Sequence, residues 1–263
     1  MENVIDLINL RTMRSQAVVS TYVRSQGLSP PEVAALERIA DEAHDRPILD
    51  IGVGGGRTVQ PLLAISADYL GIDYSEQMIV ASRTRFPGVR FEHADARDLS
   101  NMADGSIFLA VFSCNGLGMV HHSDRLRILR EVYRVLQPGG AFLFSTHNQN
   151  CRDHVAGFRF PDFEPSHNPA RILVRTARFI GQTLIRSCNR LRFSKYDVRT
   201  PEYSMINDVC HHYGTMLYYI ALDNQRRQLE SAGFRQDAEG FDLAGRDIRD
   251  DTTDSSITLL ARK

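Results

Sequence analysis

Residues Ile48 to Thr58 read ILDIGVGGGRT, and no other stretch constrains the fold of this chain as tightly. Three apolar residues and an acid run straight into a glycine cluster. That is the pattern of a buried strand ending in a turn that must bring bare backbone close to a partner. Gly52, Gly54 and Gly56 set a frame of acid-x-Gly-x-Gly-x-Gly, with Asp50 as the acid. Glycine is needed where φ must be positive or where a ligand touches main chain. A helix that starts after such a turn presents its first N–H groups to that ligand.

The segments that follow alternate between strand and helix patterns. Asp68 to Asp73 (DYLGID) reads as a second strand ending in an acid, Val89 to Asp95 (VRFEHAD) as a third, and Ser106 to Ser113 (SIFLAVFS) as a fourth. Ile128 to Gly140 reads as a helix closed by Pro-Gly-Gly, and Ala141 to Thr146 as a fifth strand. This alternation predicts a parallel, doubly wound α/β sheet. Ligands of such sheets sit at the carboxyl ends of the strands. Asp50, Asp73, Asp95 and Ser113 all fall on that edge.

Dinucleotide-binding domains place their third glycine one position later, as G-x-G-x-x-G. The spacing G-x-G-x-G with Asp50 two residues upstream instead resembles motif I of the class I S-adenosylmethionine-dependent methyltransferases. Asp73-Tyr74-Ser75-Glu76-Gln77-Met78 is similar to that family's D-x-S-x-x-M pattern, and Arg134-Val135-Leu136-Gln137-Pro138-Gly139-Gly140 to its R-V-L-x-P-G-G string. The resemblance covers roughly residues 46 to 147 and 220 to 263. It implies a seven-stranded, mostly parallel sheet closed by an antiparallel hairpin, with S-adenosylmethionine as cofactor.

The resemblance also implies a binding site. Asp50, Gly52, Gly54 and Gly56 would form the turn against the cofactor. Asp73 would accept both ribose hydroxyls. Met78 would offer a soft apolar surface to adenine. Asp95 and Ala96 stand where family members bond the adenine amino group. Tyr74 follows strand two, and Ser113 and Asn115 follow strand four, as further cofactor contacts. In this family a leading helical arm often covers the cofactor; here that arm is residues 1 to 45. Its Tyr22 would reach the methionine carboxylate or pack on the core edge.

A chain of 263 residues is one domain with decoration, expected as a methyltransferase core over 46–147 and 216–263 and a largely helical acceptor-side insertion over 148–215. The formal net charge of −1 predicts no global attraction to nucleic acid or membrane. Cys114, Cys151, Cys188 and Cys210 show neither paired nor metal-ligand spacing. No apolar run is long enough for a transmembrane helix, and the acidic start MENVIDLINL is a poor signal peptide. The expectation is a cytoplasmic monomer or homodimer without a metal.

Within the insertion, Asn168-Pro169 marks a helix start. Leu173, Ala177, Ile180, Leu184, Cys188 and Leu191 share one face at helical spacing; Arg171, Arg175, Arg178, Gln182 and Arg186 share the opposite one. The arginine face reads as solvated, as a recognition surface for an anionic acceptor, or as a contact for lipid or RNA. Ser113-Cys114-Asn115-Gly116 lacks the motifs of sequence-specific nucleic-acid methylation.

Transfer of a methyl group from a sulfonium requires mainly alignment and exclusion of water. A hydroxyl or protonated amine acceptor gains from a general base. The candidates are His147 after strand five, His121 after strand four, and His211 at the end of the insertion. The reading is therefore a methyltransferase acting on oxygen or nitrogen of a small, anionic metabolite. A lipid carboxylate or RNA methyltransferase, and a cofactor-binding protein without turnover, remain as alternatives.

Overall fold

The computed structural model describes residues 2–151 and 157–263. The arm comprises helices α1 (Glu2–Met13), α2 (Gln16–Arg24), α3 (Pro30–Glu37) and α4 (Ala40–Ala43). Helix α3 begins with a capping box. Glu32 accepts the N–H and hydroxyl of Ser29 at 2.7 and 2.8 Å, and the prolines fill positions that need no donor.

The core follows as β1 (Ile48–Ile51), α5 (Val59–Leu63), β2 (Tyr69–Asp73), α6 (Glu76–Arg85), β3 (Phe91–His93), β4 (Ile107–Phe112), α7 (His122–Val135) and β5 (Leu136–Asn148). The insertion holds α8 (Pro169–Phe193) and the strands β6 (Val198–Arg199), β7 (Tyr203–Asp208) and β8 (Thr215–Ile220). Helix α9 (Leu222–Ala232), β9 (Glu239–Phe241), β10 (Asp247–Ile248) and β11 (Ser256–Arg262) complete the chain.

The main path of the sheet runs β10-β9-β11-β5-β4-β1-β2-β3. From β3 to β5 neighbours are parallel, and β11 lies antiparallel between β5 and β9. Alternation along each strand feeds two cores. Leu49, Ile51, Phe112, Phe142 and Phe144 pack against Ile128, Leu129 and Val132 of α7. Ile48, Leu109, Val111 and Leu143 pack on the other face against Leu36 of α3, Leu62 of α5 and Ile79 of α6.

The doubly wound, mostly parallel sheet is as expected, but it has more than seven strands. The short β10 adds an eighth to the main path, and β6, β7 and β8 extend the same sheet. Strand β8, expected to open the returning core, instead pairs antiparallel with β7 and parallel with the end of β5, at His147↔Tyr219 and Asn148↔Ile220. The insertion is thus part helix, part meander. Ile5 and Ile8 of α1 pack on Met205, Met216, Tyr218 and Ile220, so the arm and the insertion share a core of their own.

Two local readings shift. The Pro-Gly-Gly string does not close α7; it sits inside β5, where the register against β4 slips between Ile107 and Leu109. Helix α7 starts ahead of Ile128, at His122, and the His121 side chain caps it by accepting the Ser123 N–H.

Strand β4 leaves β5 after Phe112↔Phe144, and β8 joins it from His147 onward. The gap between those partners opens the carboxyl edge of the sheet.

Candidate active site

The glycine turn after β1 forms one wall of a cleft of about 820 Å³, solvent at its mouth included. Gly54 has φ +56° and Gly52 φ +63°, a region open to glycine and costly for a branched side chain. Asp73, at the end of β2, is 6% exposed. One carboxylate oxygen accepts the Gly54 N–H at 2.9 Å, the other the Ser75 N–H at 2.8 Å. Burial pushes its pKa up to about 6, against the pull of those two N–H groups. Each oxygen retains a further lone pair for a donor in the cleft.

Gly52, Gly54, Tyr74, Met78, Asp95, Ala96, Ser113 and Tyr22 line the same cleft as Asp73. Tyr74 carries a buried hydroxyl that finds no partner among the described residues. Met13 and Met119 line the cleft with Met78, giving it a soft apolar side that the sequence pattern alone does not single out. Tyr22 closes it from the arm, its Cδ1 3.6 Å from where a Cβ on Gly54 would stand.

Three expected contacts lie elsewhere. Asp50 is fully buried on the opposite side of β1, because strand alternation turns Ile51, not Asp50, toward the cleft. It accepts hydrogen bonds from the hydroxyls of Thr58 at 2.6 Å and Tyr69 at 2.8 Å, and burial raises its pKa to about 6. Its place in the structure is to brace the turn. Gly56 packs against Phe86, whose ring would stand 2.4 Å from a Cβ there. Asn115 faces a neighbouring cavity.

Two arginines missed in the sequence support the cleft. Arg57, within the motif string itself, forms a bidentate pair with Glu32 of α3 at 2.6 and 2.7 Å and donates to Ser113 at 3.1 Å. Arg97 lines the cleft and binds Asp95, Asp6 of α1 and Asp124 of α7. The Asp95 carboxylate is therefore engaged by Arg97 as well as facing the cleft. Gly55, also unremarked, lets the arm approach: a Cβ there would be 2.5 Å from the Tyr22 carbonyl carbon.

The second cavity adjoins the first across the turn Cys114-Asn115-Gly116. Cys114 and Gly116 face the cleft, and Asn115 faces the cavity with His147, Arg159, Arg190, Arg199, Asp208 and Tyr219. Cys114 and Asn115 both hold left-handed backbone, at φ 55° and 56°, in the tight turn between the two cavities. The Asn115 amide and His147 Nδ1 are 3.4 Å apart. The His147 ring lies 4.9 Å from that of Tyr219, centroid to centroid. Tyr219 donates to Asp208 at 2.7 Å. Burial alone would raise Asp208, but the Cys210 N–H, the Tyr219 hydroxyl and the nearby His147 hold its carboxyl below the usual range.

The other histidines part company. His121 caps α7 through the Ser123 N–H and lies in neither cavity. His211 lines a recess beside the glycine turn with Tyr22 and Cys114, its ring 6.3 Å from that of Tyr22. Burial lowers its pKa. His211, His212 and Tyr213 follow one another with φ near 49–59°, a costly run for residues with side chains. The arginines expected to meet an acceptor do not line the second cavity. Arg175 bonds the carbonyls of Glu164 and Pro165, and Arg171 and Arg178 are exposed. Arg159, Arg190 and Arg199 stand there instead.

Residues 48–140 match the family model described as a methyltransferase domain. Over that segment the chain carries a methyltransferase domain of the S-adenosylmethionine-dependent kind. It is 31% identical over 113 residues to a probable S-adenosylmethionine-dependent methyltransferase of Mycolicibacterium smegmatis, covering 43% of this chain and 42% of that one. It is 29% identical over 174 residues to a trans-aconitate 2-methyltransferase of Methylobacterium nodulans, covering 64% and 60%. The chain thus matches less than two thirds of either relative's length. The methyltransferase CcbJ from Streptomyces caelestis shares the fold with a TM-score of 0.62 at 18% identity, over 95% of this chain and 97% of that one.

The family's cofactor, S-adenosylmethionine, suits the cleft on its own chemistry. Asp73 has spare lone pairs for hydroxyl donors, the Tyr74 hydroxyl lacks a partner among the described residues, and three methionines line an apolar wall.

Proposed function

We propose that this protein transfers a methyl group from S-adenosylmethionine to oxygen or nitrogen of a small, anionic metabolite. When bound, the cofactor supplies an electrophilic methyl group on sulfur. Asp73 holds its ribose, Met78 and Ala96 flank its base, and Tyr22 covers it from the arm. The acceptor occupies the cavity on the other side of the Cys114–Gly116 turn. There His147 takes the acceptor's proton or orients its nucleophile, with Asn115 bonded to the ring.

The observation that carries this reading is the pairing of two cavities across one turn, one with a carboxylate aimed inward, the other with a histidine. The anionic acceptor is argued from charge. Three guanidinium groups, Arg159, Arg190 and Arg199, line the second cavity with one lining carboxylate, Asp208, while Arg190 also pairs with Asp197 at 3.1 Å. The Methylobacterium relative is named for a carboxylate acceptor, trans-aconitate, which supports that class.

The test is transfer of labelled methyl from S-adenosylmethionine to a panel of carboxylates and phosphorylated metabolites, with neutral analogues beside them. S-adenosylhomocysteine should accumulate with an anionic acceptor and not with its ester or amide. Binding of the cofactor with no transfer to any member would favour a non-catalytic role. Transfer to neutral acceptors alone would remove the charge argument.

A further inference from the structure

Helix α8 wears its amphipathic pattern inside out. Leu173, Ile180, Leu184 and Leu191 share one face and are 73%, 53%, 62% and 81% exposed. Val174 and Ile185, also exposed, widen the stripe. No residue of the helix is buried. The polar face is the one tied to the rest of the chain. Arg175 donates to the carbonyls of Glu164 and Pro165, Arg186 to that of Arg159, and Arg190 to that of Asn207. Asn189 donates to the carbonyl of His212 at 2.9 Å. These bonds fix the roll of the helix. Turning the stripe inward would break them and leave those carbonyls facing apolar side chains without donors.

An exposed apolar stripe along a 25-residue helix marks an interaction site. Its chemistry narrows the occupant. Between Pro169 and Phe193 there are six arginines and no Asp or Glu. Arg171, Arg178 and Arg192 are exposed at the border of the stripe. A second copy of the chain would bring two cationic rims together, which opposes pairing. A nucleic-acid backbone would meet the arginines and leave the leucines in water. An anionic bilayer surface meets both, with acyl chains for the leucines and headgroups for the arginines. No helix among the described residues is long and apolar enough to cross a membrane, so α8 would lie in the interface plane.

We propose that α8 docks this protein on an anionic lipid surface, with the Leu173–Leu191 stripe among the acyl chains and Arg171, Arg178 and Arg192 at the headgroups. The formal net charge of −1 does not oppose this, because beyond a Debye length of about 8 Å the remote acids are screened.

The experiment is flotation of the full chain with vesicles of equimolar phosphatidylcholine and phosphatidylglycerol, and with phosphatidylcholine alone. The protein should float with the anionic vesicles, and added salt should weaken the association. Replacing Leu173, Leu184 and Leu191 together by Gln should lower partitioning at least about tenfold, from the loss of buried apolar area. Replacing Arg171, Arg178 and Arg192 by Gln should erase the preference for anionic lipid. All six side chains are exposed, so unchanged thermal melting is expected and checks the fold. Turnover of a soluble acceptor should not change, which separates this test from that of the activity. Equal flotation of wild type and the leucine variant would overturn the proposal. So would self-association, or RNA binding, that the leucine variant loses or keeps while wild type ignores both kinds of vesicle.

Discussion

Asp73 at the end of β2 and Gly54 in the turn after β1 are joined by a hydrogen bond of 2.9 Å from the glycine N–H to the carboxylate. The bond ties the two most informative sequence features into one rigid corner of the cleft. It also aims the carboxylate, because a group held by two N–H donors has little freedom to turn away. Asp73→Ala should therefore weaken S-adenosylhomocysteine binding at least about tenfold, since hydrogen bonds to a charged group contribute about 1.5–3 kcal/mol each. Calorimetry with equal affinity in mutant and wild type would refute the assignment.

The same carboxylate gives binding a pH dependence. Burial raises the pKa of Asp73 from 3.8 to about 6. Only the ionised form offers both oxygens to hydroxyl donors while keeping Gly54 and Ser75. Affinity should be full from about one unit above pH 6 and fall as pH drops through that value, by up to about tenfold per unit. For the protein without cofactor the sign reverses. A folded pKa above the unfolded 3.8 means that Asp73 contributes most to stability below 3.8 and loses that contribution as pH rises through 6. Titrations of S-adenosylhomocysteine from pH 7.5 to pH 5 should show the decline in wild type, with a flat, weak response in Asp73→Asn. A flat wild-type curve would remove Asp73 as the titrating contact.

What could be read in advance follows a physical divide. The glycine turn, the acid at the end of β2 and the Asn168-Pro169 start of α8 are local signals, set by φ requirements and unsatisfied donors within a few residues. The direction of Asp50 was equally local, since strand alternation turns it away from Ile51, yet the motif pattern drew it toward the cofactor. Helix α8 shows the other limit. Its periodicity defines two faces, and nothing in the sequence says which one meets the protein; carbonyls at Arg159, Glu164, Pro165 and Asn207 decided that. The meander β6–β8 escaped notice because its pairing with β5 depends on contacts more than sixty residues apart. The second cavity was unreadable for the same reason, since Arg159, Arg190 and Arg199 reach it from separate elements.

Arg125 on α7 is fully buried, and its hydrogen-bond partners among the described residues are all neutral. It donates to the Leu117 carbonyl at 2.9 Å, to Thr146 at 3.2 Å and to Gln225 and Gln228, and lies over the Tyr218 ring. Burial lowers its pKa to about 10, so it stays charged at neutral pH. Arg125→Met should strand several acceptors at about 1–3 kcal/mol each. A loss of this size should lower Tm by several degrees, at about 2–4 °C per kcal/mol for a domain of this length. An unchanged melting temperature would show that the acceptors find other partners.

The arm should prove to be part of the cofactor site rather than an appendage. Gly55 leaves no room for a side chain: the Tyr22 carbonyl carbon and the Val23 nitrogen would both lie 2.5 Å from a Cβ. Those are backbone atoms, so α2 must move as a unit. Gly55→Ala should displace Tyr22, weaken S-adenosylhomocysteine binding and raise proteolytic sensitivity in residues 16–24, while the core strands stay protected in hydrogen exchange. Unaltered affinity and protection would mean that the arm does not cover the bound cofactor.

His147 is the sharpest test of the acceptor side, because two roles predict different rescues. It faces the second cavity with Asn115 at 3.4 Å and its ring tilted against that of Tyr219, and it does not line the first cleft. A positioned general base contributes about 10²–10⁴-fold. His147→Ala should lower kcat by about that factor and leave cofactor affinity unchanged. His147→Gln then separates the roles. Gln can still bond to Asn115 and to an acceptor but cannot take a proton near neutral pH. If His147 is a base, Gln should be as inactive as Ala, and the wild-type rate should fall at low pH as the imidazole gains its proton. If it only orients the acceptor, Gln should restore most of the rate, and the profile should lack that acidic limb. Full activity in both variants would take His147 out of the chemistry and leave alignment across the Cys114–Gly116 turn as the source of rate.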